Sequence, residues 1–181
     1  RSTLDRSSAA SDVYKRQEQC DVAVRIGDLP DSSLKALQVG TVRRVVCASP
    51  HYLQTHGEPT TPQALTDHSC ITFEVLSSVG AWVFGAGKAQ QTVPVHSRLS
   101  VNTAEAAITA ATLGVGVIRV LSYQVADAVQ KGDLQVVLQP YESAALPISL
   151  VHKGQAPLPL KVRAFLDFVT PRLRVRDANI P

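Results

Sequence analysis

Residues 101–116, VNTAEAAITAATLGVG, carry the clearest hydrophobic pattern in the chain. Small apolar residues recur there at i, i+3, i+4 and i+7, the spacing of one face of a helix. They are Ala104, Ala107, Ile108 and Ala111. Asn102 precedes them, with Glu105 at the spacing of a capping box, and Gly114 follows them as a glycine stop. The pattern predicts one short helix that Asn102 caps and Gly114 ends.

An apolar run from Val115 to Val120 follows this helix and predicts a buried strand. Gly116 within the run would allow close approach of a neighbouring backbone. A strand over Arg98 to Val101 precedes the helix, so the segment is predicted as strand, helix, strand. The N-terminus of such a helix opens at the carboxyl end of the preceding strand, where open α/β sheets hold ligands.

The rest of the chain alternates between short strands and short helices, which is typical of an α/β fold. Strands are predicted at 20–26, 34–39, 42–48, 70–75, 81–84, 92–96, 134–138 and 148–152. Helices are predicted after Ser49, Thr61, Ser122 and Pro159. Both alternate sets of positions in Cys20–Ile26 are mostly apolar, so we expect that strand to be covered on both faces.

Charge and cysteine content exclude several classes of protein. The formal charge is +3, but residues 1–17 carry +2 of it, which leaves no footprint for DNA in the remainder. Three widely spaced cysteines fit neither a disulfide framework nor a four-ligand zinc site, and we expect each to be a small buried hydrophobe. No apolar run is long enough to span a bilayer, so we predict no membrane association and a cytoplasmic protein.

Residues 1–17, RSTLDRSSAASDVYKRQ, are polar and serine-rich and change abruptly into the first apolar strand. We interpret them as a non-native tail of vector or adaptor origin, with a disordered native tail as the alternative. Residues 176–181 are assigned to a second tail.

No set of residues predicts catalysis, a metal or a cofactor. The chain has no G-x-S-x-G, no H-E-x-x-H and no glycine-rich phosphate loop. His51 and His56 are five residues apart, which does not place them on one helix face. We therefore expect the protein not to be an enzyme.

Binding chemistry is indicated instead. Arg25 stands at the carboxyl end of a strand, just before Gly27; it could clamp a ligand carboxylate or form a structural salt bridge. Small polar residues that begin helices would add N–H donors, and two glycines would shape the wall of the site. These residues are Ser49, Asn102, Thr103, Gly114 and Gly116. The set predicts a small organic anion as ligand.

Several segments together resemble the effector-binding domain of LysR-type transcriptional regulators over about residues 20–174. They are CDVAVRIGDLPDSSLKAL, ASPHYL, PQALTDHSCI, LSVNTAEAAITAATLGVGVIRVLSYQVADAVQKGDLQVVL and KVRAFLDFV. The resemblance implies two α/β lobes of the type 2 periplasmic-binding-protein-like fold that close on a small effector. The expected lobes are residues 18–46 with 147–175, and residues 47–146.

The resemblance also implies parts that this sequence lacks. Members of the family carry a winged helix-turn-helix, a linker helix and a first strand–helix–strand segment upstream, so the first lobe is expected to be incomplete here. DNA would then be bound only through the missing part, and the full-length protein is expected to be a homo-oligomer. The alternatives are a periplasmic solute-binding protein and a small enzyme on the same fold, such as a deaminase or lyase.

Overall fold

The computed structural model describes residues 20–29, 33–73, 80–154 and 157–177. Its strands are β1 (Val22–Ile26), β2 (Leu34–Val42), β3 (Arg44–Ala48), β4 (Ser69–Phe73), β5 (Ala81–Phe84), β6 (Gln91–Pro94), β7 (His96–Val101), β8 (Val117–Leu121), β9 (Gln135–Val137) and β10 (Leu146–Lys153). Its α-helices are α1 (Pro50–His56), α2 (Ala104–Thr112), α3 (Ser122–Gln130) and α4 (Leu160–Asp177). The predicted tail over 1–17 lies outside the described residues.

The chain divides into two compact units. The first comprises the described residues up to Thr41 together with those from Leu146 onward, and the second is Val42–Ala145. The second unit begins at Val42, whereas the sequence analysis expected it to begin at 47, because β3 lies wholly within the sheet of this unit. It ends at Ala145, one residue before the expected end at 146.

The first unit holds a three-stranded sheet in the order β1-β10-β2, covered by α4. Its core is formed by Val39 and Leu150 of the sheet and by Val162 and Leu166 of the helix. The amphipathic spacing of α4 thus supplies one apolar face to the middle of the sheet.

The expectation that the first strand is covered on both faces is wrong. Val24 is 57% exposed and Ile26 is 40% exposed. β1 is an edge strand, and the buried cluster beneath α4 centres on the other two strands, so one face of β1 is left open. Cys20, expected to be buried, is exposed at the start of this strand.

The second unit is built on a five-stranded sheet in the order β7-β4-β8-β3-β9, with a β5–β6 hairpin beside it. β4 runs parallel to β7 and β8, whereas β3 runs antiparallel to β8 and β9. One face packs against α2 and α3, and the other packs around Tyr52, Trp82 and Phe84. Cys47 and Cys70 are fully buried, as expected.

The predicted strand–helix–strand is confirmed as β7, α2 and β8. Ala107 and Ala111 of the small-residue stripe are completely buried against the sheet. Gly114 ends the helix with φ 80° and donates its N–H to the carbonyl of Ala111 at 2.9 Å. A Cβ on Gly116 would collide with the carbonyl of Ser69, so the predicted close approach of two backbones is present.

The predicted cap is wrong by one residue. Thr103, not Asn102, is the N-cap of α2, and its Oγ1 accepts the N–H of Ala106 at 3.2 Å. The hydroxyl of Thr103 reaches the third amide of the helix, which is the amide that an N-cap side chain ordinarily serves. Asn102 is an exposed residue in the preceding bend.

Candidate functional site

Ser49, Gly114 and Gly116 lie at one edge of the second unit's sheet. Ser49 follows the end of β3 and Gly116 precedes the start of β8, and these ends are level because Cys47 pairs with Ile118. The Ser49 Oγ accepts the N–H of Tyr52 at 3.2 Å and is the predicted cap of α1. A Cβ on Gly114 would lie 3.6 Å from that oxygen.

Asn102 and Thr103 lie at the opposite edge of the same sheet. Cys70 pairs with Val117 at the start of β8, whereas Phe73, at the other end of β4, pairs with Val101. Both residues that follow Val101 are exposed. Arg43, which precedes β3, is also at this edge, where its carbonyl accepts the N–H of Ser122 at 2.9 Å.

The two helix starts proposed for ligand binding therefore lie at opposite edges of this sheet. The reason is the direction of β3, which runs antiparallel to β8 and carries Ser49 away from the carboxyl ends of the parallel strands. Ser49 is moreover buried, with its hydroxyl occupied by the cap. Of the residues of this unit that the sequence analysis proposed for ligand binding, Asn102 and Thr103 lie at the end of the sheet where α/β proteins hold ligands.

Arg25 and Gly27 belong to the first unit. Arg25 is half-buried in β1, opposite Ser149 of β10. Gly27 ends the strand with φ 102°, a conformation that favours glycine, and donates its N–H to the carbonyl of Pro147 at 2.9 Å.

The second unit also contains a polar cluster whose residues the sequence analysis did not propose for ligand binding. Arg119 contacts the carbonyl of Val83, lies 3.5 Å from the Ser143 hydroxyl and stacks 5.1 Å from the centre of the Phe84 ring. Arg43 forms an ion pair of 3.1 Å with Glu142. The sequence does contain a feature that could have identified Arg119, because a cation at the centre of the apolar run VIRVL is unusual.

Neither thiol buried in this unit is suited to act as a nucleophile. Burial, assisted by Glu142, raises the pKa of Cys47 to about 12, and burial raises the pKa of Cys70 to about 12. Within the described residues no group of three or more His, Cys, Asp or Glu side chains could hold a metal ion. In the same part of the chain, no helix is both long and apolar enough to cross a membrane.

Each unit carries a groove on its described surface. The first unit has a groove of about 630 Å³ between Leu37 and α4. The second unit has one of about 410 Å³ between α3 and β9, with Arg43 at its rim. The residues that line these two grooves do not include any residue that the sequence analysis proposed for ligand binding.

Comparison with known proteins identifies the family. The LysR substrate binding domain family matches residues 9–174, a match that begins inside the segment interpreted as a tail. A Haemophilus influenzae protein described as an uncharacterized HTH-type transcriptional regulator is 32% identical over 145 residues, which is 80% of this chain and 50% of that protein. The chain spans about half the length of the curated relatives it matches.

Solved structures give the same result. The regulatory domain of AphB from Vibrio vulnificus, treated with cumene hydroperoxide, aligns with a TM-score of 0.74 and 27% identity over 84% of this chain and 76% of that one. The regulatory domain of CrgA from Neisseria meningitidis, a LysR-type transcriptional regulator, aligns with a TM-score of 0.73 and 26% identity over 87% of this chain and 78% of that one. The fold is thus the type 2 periplasmic-binding-protein-like fold of these regulatory domains. The chain belongs to the LysR substrate binding domain family, the effector-binding domains of LysR-type transcriptional regulators.

Proposed function

We propose that this chain is the effector-sensing part of a LysR-type transcription regulator and that its effector is a small organic anion. The assignment to a LysR-type regulator rests on the family match over residues 9–174. Relatives described as HTH-type transcriptional regulators support it. Effector binding would change the geometry of an oligomer and so the fit of its DNA-binding part to an operator. DNA contact belongs to sequence outside this chain, and the site of action is the cytoplasm.

The anionic character of the effector rests on the charges and donors at the proposed contact residues. Arg25 and Gly27 lie at the carboxyl end of β1 in the first unit, and Asn102 and Thr103 directly precede α2 in the second. A guanidinium and the amides of a helix N-terminus both favour a carboxylate over a neutral ligand. Ser49, Gly114 and Gly116 are assigned a structural role, because they lie at the other edge of the sheet.

Isothermal titration with a library of small carboxylates tests the effector proposal. Arg25→Ala is expected to weaken binding of the carboxylate that binds best by at least about tenfold, the scale of one charge-assisted hydrogen bond. Arg98→Ala, on exposed β7, removes the same charge and is the matched control. Equal affinity of Arg25→Ala and the unchanged protein would show that Arg25 is a structural residue.

Gel shifts with promoter DNA test the assignment of DNA contact to another part of the protein. We expect weak binding without sequence preference, because residues 18–181 carry a net charge of only +1. Tight, sequence-specific binding would contradict the proposal. A solute-binding protein of the same fold is the alternative, and the descriptions of the relatives as transcriptional regulators favour the regulator.

A further inference from the structure

Two arginines of the second unit lie on the same face of its sheet. Arg44 pairs with Leu121 and Arg119 pairs with Val46, and directly paired residues of antiparallel strands project to one side. Arg44 and Arg119 are therefore diagonal neighbours on β3 and β8. Such neighbours are about 7–8 Å apart at their Cα atoms, within reach of two long side chains.

The orientation of one guanidinium is fixed by its surroundings. Arg119 donates to the carbonyl of Val83 and lies 3.5 Å from the hydroxyl of Ser143. Its guanidinium also rests on the ring of Phe84, a residue only 2% exposed. These contacts hold one side of the guanidinium and leave its Nε edge uncommitted.

The Nε atoms of Arg44 and Arg119 are both buried and have no hydrogen-bond partner among the described residues. Neither arginine forms an ion pair with any residue that the structure describes. Glu142, next to Ser143, pairs with Arg43 instead. Glu142 Oε1 is also buried without a partner. Burial, and second the charge of Arg44, lowers the pKa of Arg119 to about 10.

We propose that Arg44 and Arg119 together bind one oxyanion group, a carboxylate or a phosphate, on this face of the second unit. An oxyanion accepts hydrogen bonds from the Nε edges of two guanidiniums at once and offsets the repulsion between their charges. A buried donor left without a partner costs free energy, so the arrangement favours a ligand over the empty pair.

Calorimetric titration of the whole chain with inorganic phosphate, and separately with acetate, at constant ionic strength tests this site. At least one anion is expected to bind, and Arg44→Gln is expected to weaken that binding by at least about tenfold. Arg98→Gln removes an exposed arginine from the same sheet and should leave the affinity within about twofold. The anion that binds distinguishes a carboxylate ligand from a phosphate ligand.

Arg44→Lys keeps the charge but loses the Nε donor. Its affinity for the anion is expected to lie between that of Arg44→Gln and that of Arg98→Gln. If Arg44→Gln does not fold, Arg44→Lys is compared with Arg98→Gln in its place. The proposal is overturned if neither anion binds more tightly than about 10 mM, or if both Arg44 variants bind as the unchanged chain does. Since Arg25→Ala tests the effector proposal separately, either can fail without the other.

Discussion

The hydroxyl of Tyr52 lies 3.2 Å from Nδ1 of His68 and so ties α1 to the segment that leads into β4. The same oxygen accepts the N–H of Ser69 at 3.0 Å. Its own proton can be donated to the imidazole when Nδ1 of His68 is unprotonated. The ring of His56 stacks on the ring of Tyr52, with 4.2 Å between ring centres.

The stability of the fold is expected to fall at mildly acid pH through His68. Burial first, and then the charge of His56, lowers the pKa of His68, while Asp67 opposes the shift. The folded state thus binds a proton more weakly than the unfolded chain, whose histidine titrates near about 6.5. The contribution is complete above that pH and is lost as the pH falls toward the folded pKa. Thermal unfolding between pH 7.5 and 5.5 measures it, at about 2–4 °C per kcal/mol.

His68→Gln isolates this effect, because glutamine keeps an acceptor for Tyr52 but cannot take up a proton. Its melting temperature should depend less on pH than that of His96→Gln, a variant of an exposed histidine in β7. An identical pH dependence in the two variants would rule out His68 as the cause.

The position of the α2 cap predicts different losses of stability for two neighbouring substitutions. Thr103→Ala removes the acceptor of the Ala106 amide and should lower the free energy of unfolding by about 1 kcal/mol. Asn102→Ala, one residue earlier and exposed, should change it by less than about 0.5 kcal/mol. Urea denaturation of both variants checks the order, and a larger loss for Asn102→Ala would restore the cap predicted from the sequence.

Gly116 is expected to be more sensitive to substitution than Gly132 of the same unit. In Gly116→Ala the new methyl would overlap the backbone carbonyl of Ser69, which cannot rotate away, and should cost about 2 kcal/mol or more. Gly132 has φ 78° and open space around its Cα, so Gly132→Ala should cost only the backbone strain, about 1 kcal/mol. Denaturation curves that rank the two variants the other way would show that β8 can move away from Ser69.

The open face of β1 should promote self-association. Val24 and Ile26 expose apolar side chains on an edge strand, and Phe165 and Phe168 of α4 are also exposed in the same unit. Val24→Lys places a charge on that edge and should shift size-exclusion profiles toward monomer without lowering the melting temperature. His96→Lys puts the same charge on an edge strand of the second unit and should leave the profile unchanged. If the unchanged chain is already a monomer, the exposed face is not adhesive.

The local sequence was sufficient to predict those features that depend only on neighbouring residues. The helix stop at Gly114, the cap at Ser49 and the buried stripe of α2 are each encoded within a few positions, and each is present in the structure. The cap of α2 was misplaced because two adjacent residues, Asn102 and Thr103, are both good caps, and only the backbone decides between them.

Relationships between distant segments could not be obtained this way. No local pattern states that β3 runs antiparallel to β8, and that direction alone separates Ser49 from Thr103. The contact between Tyr52 and His68 likewise depends on packing between separate elements. Arg25 and Arg119 present the same signal, a cation within an apolar strand, but only Arg25 entered the sequence-based set.

The order in which the ribosome releases the chain favours one unit over the other. Val42–Ala145 is continuous, so the second unit can acquire its core as soon as its last strand has emerged. In the first unit, β10 lies between β1 and β2, so these two strands lack their shared neighbour until the whole second unit and then β10 have been synthesised. During that interval their edges and apolar faces are available to chaperones and to other nascent chains.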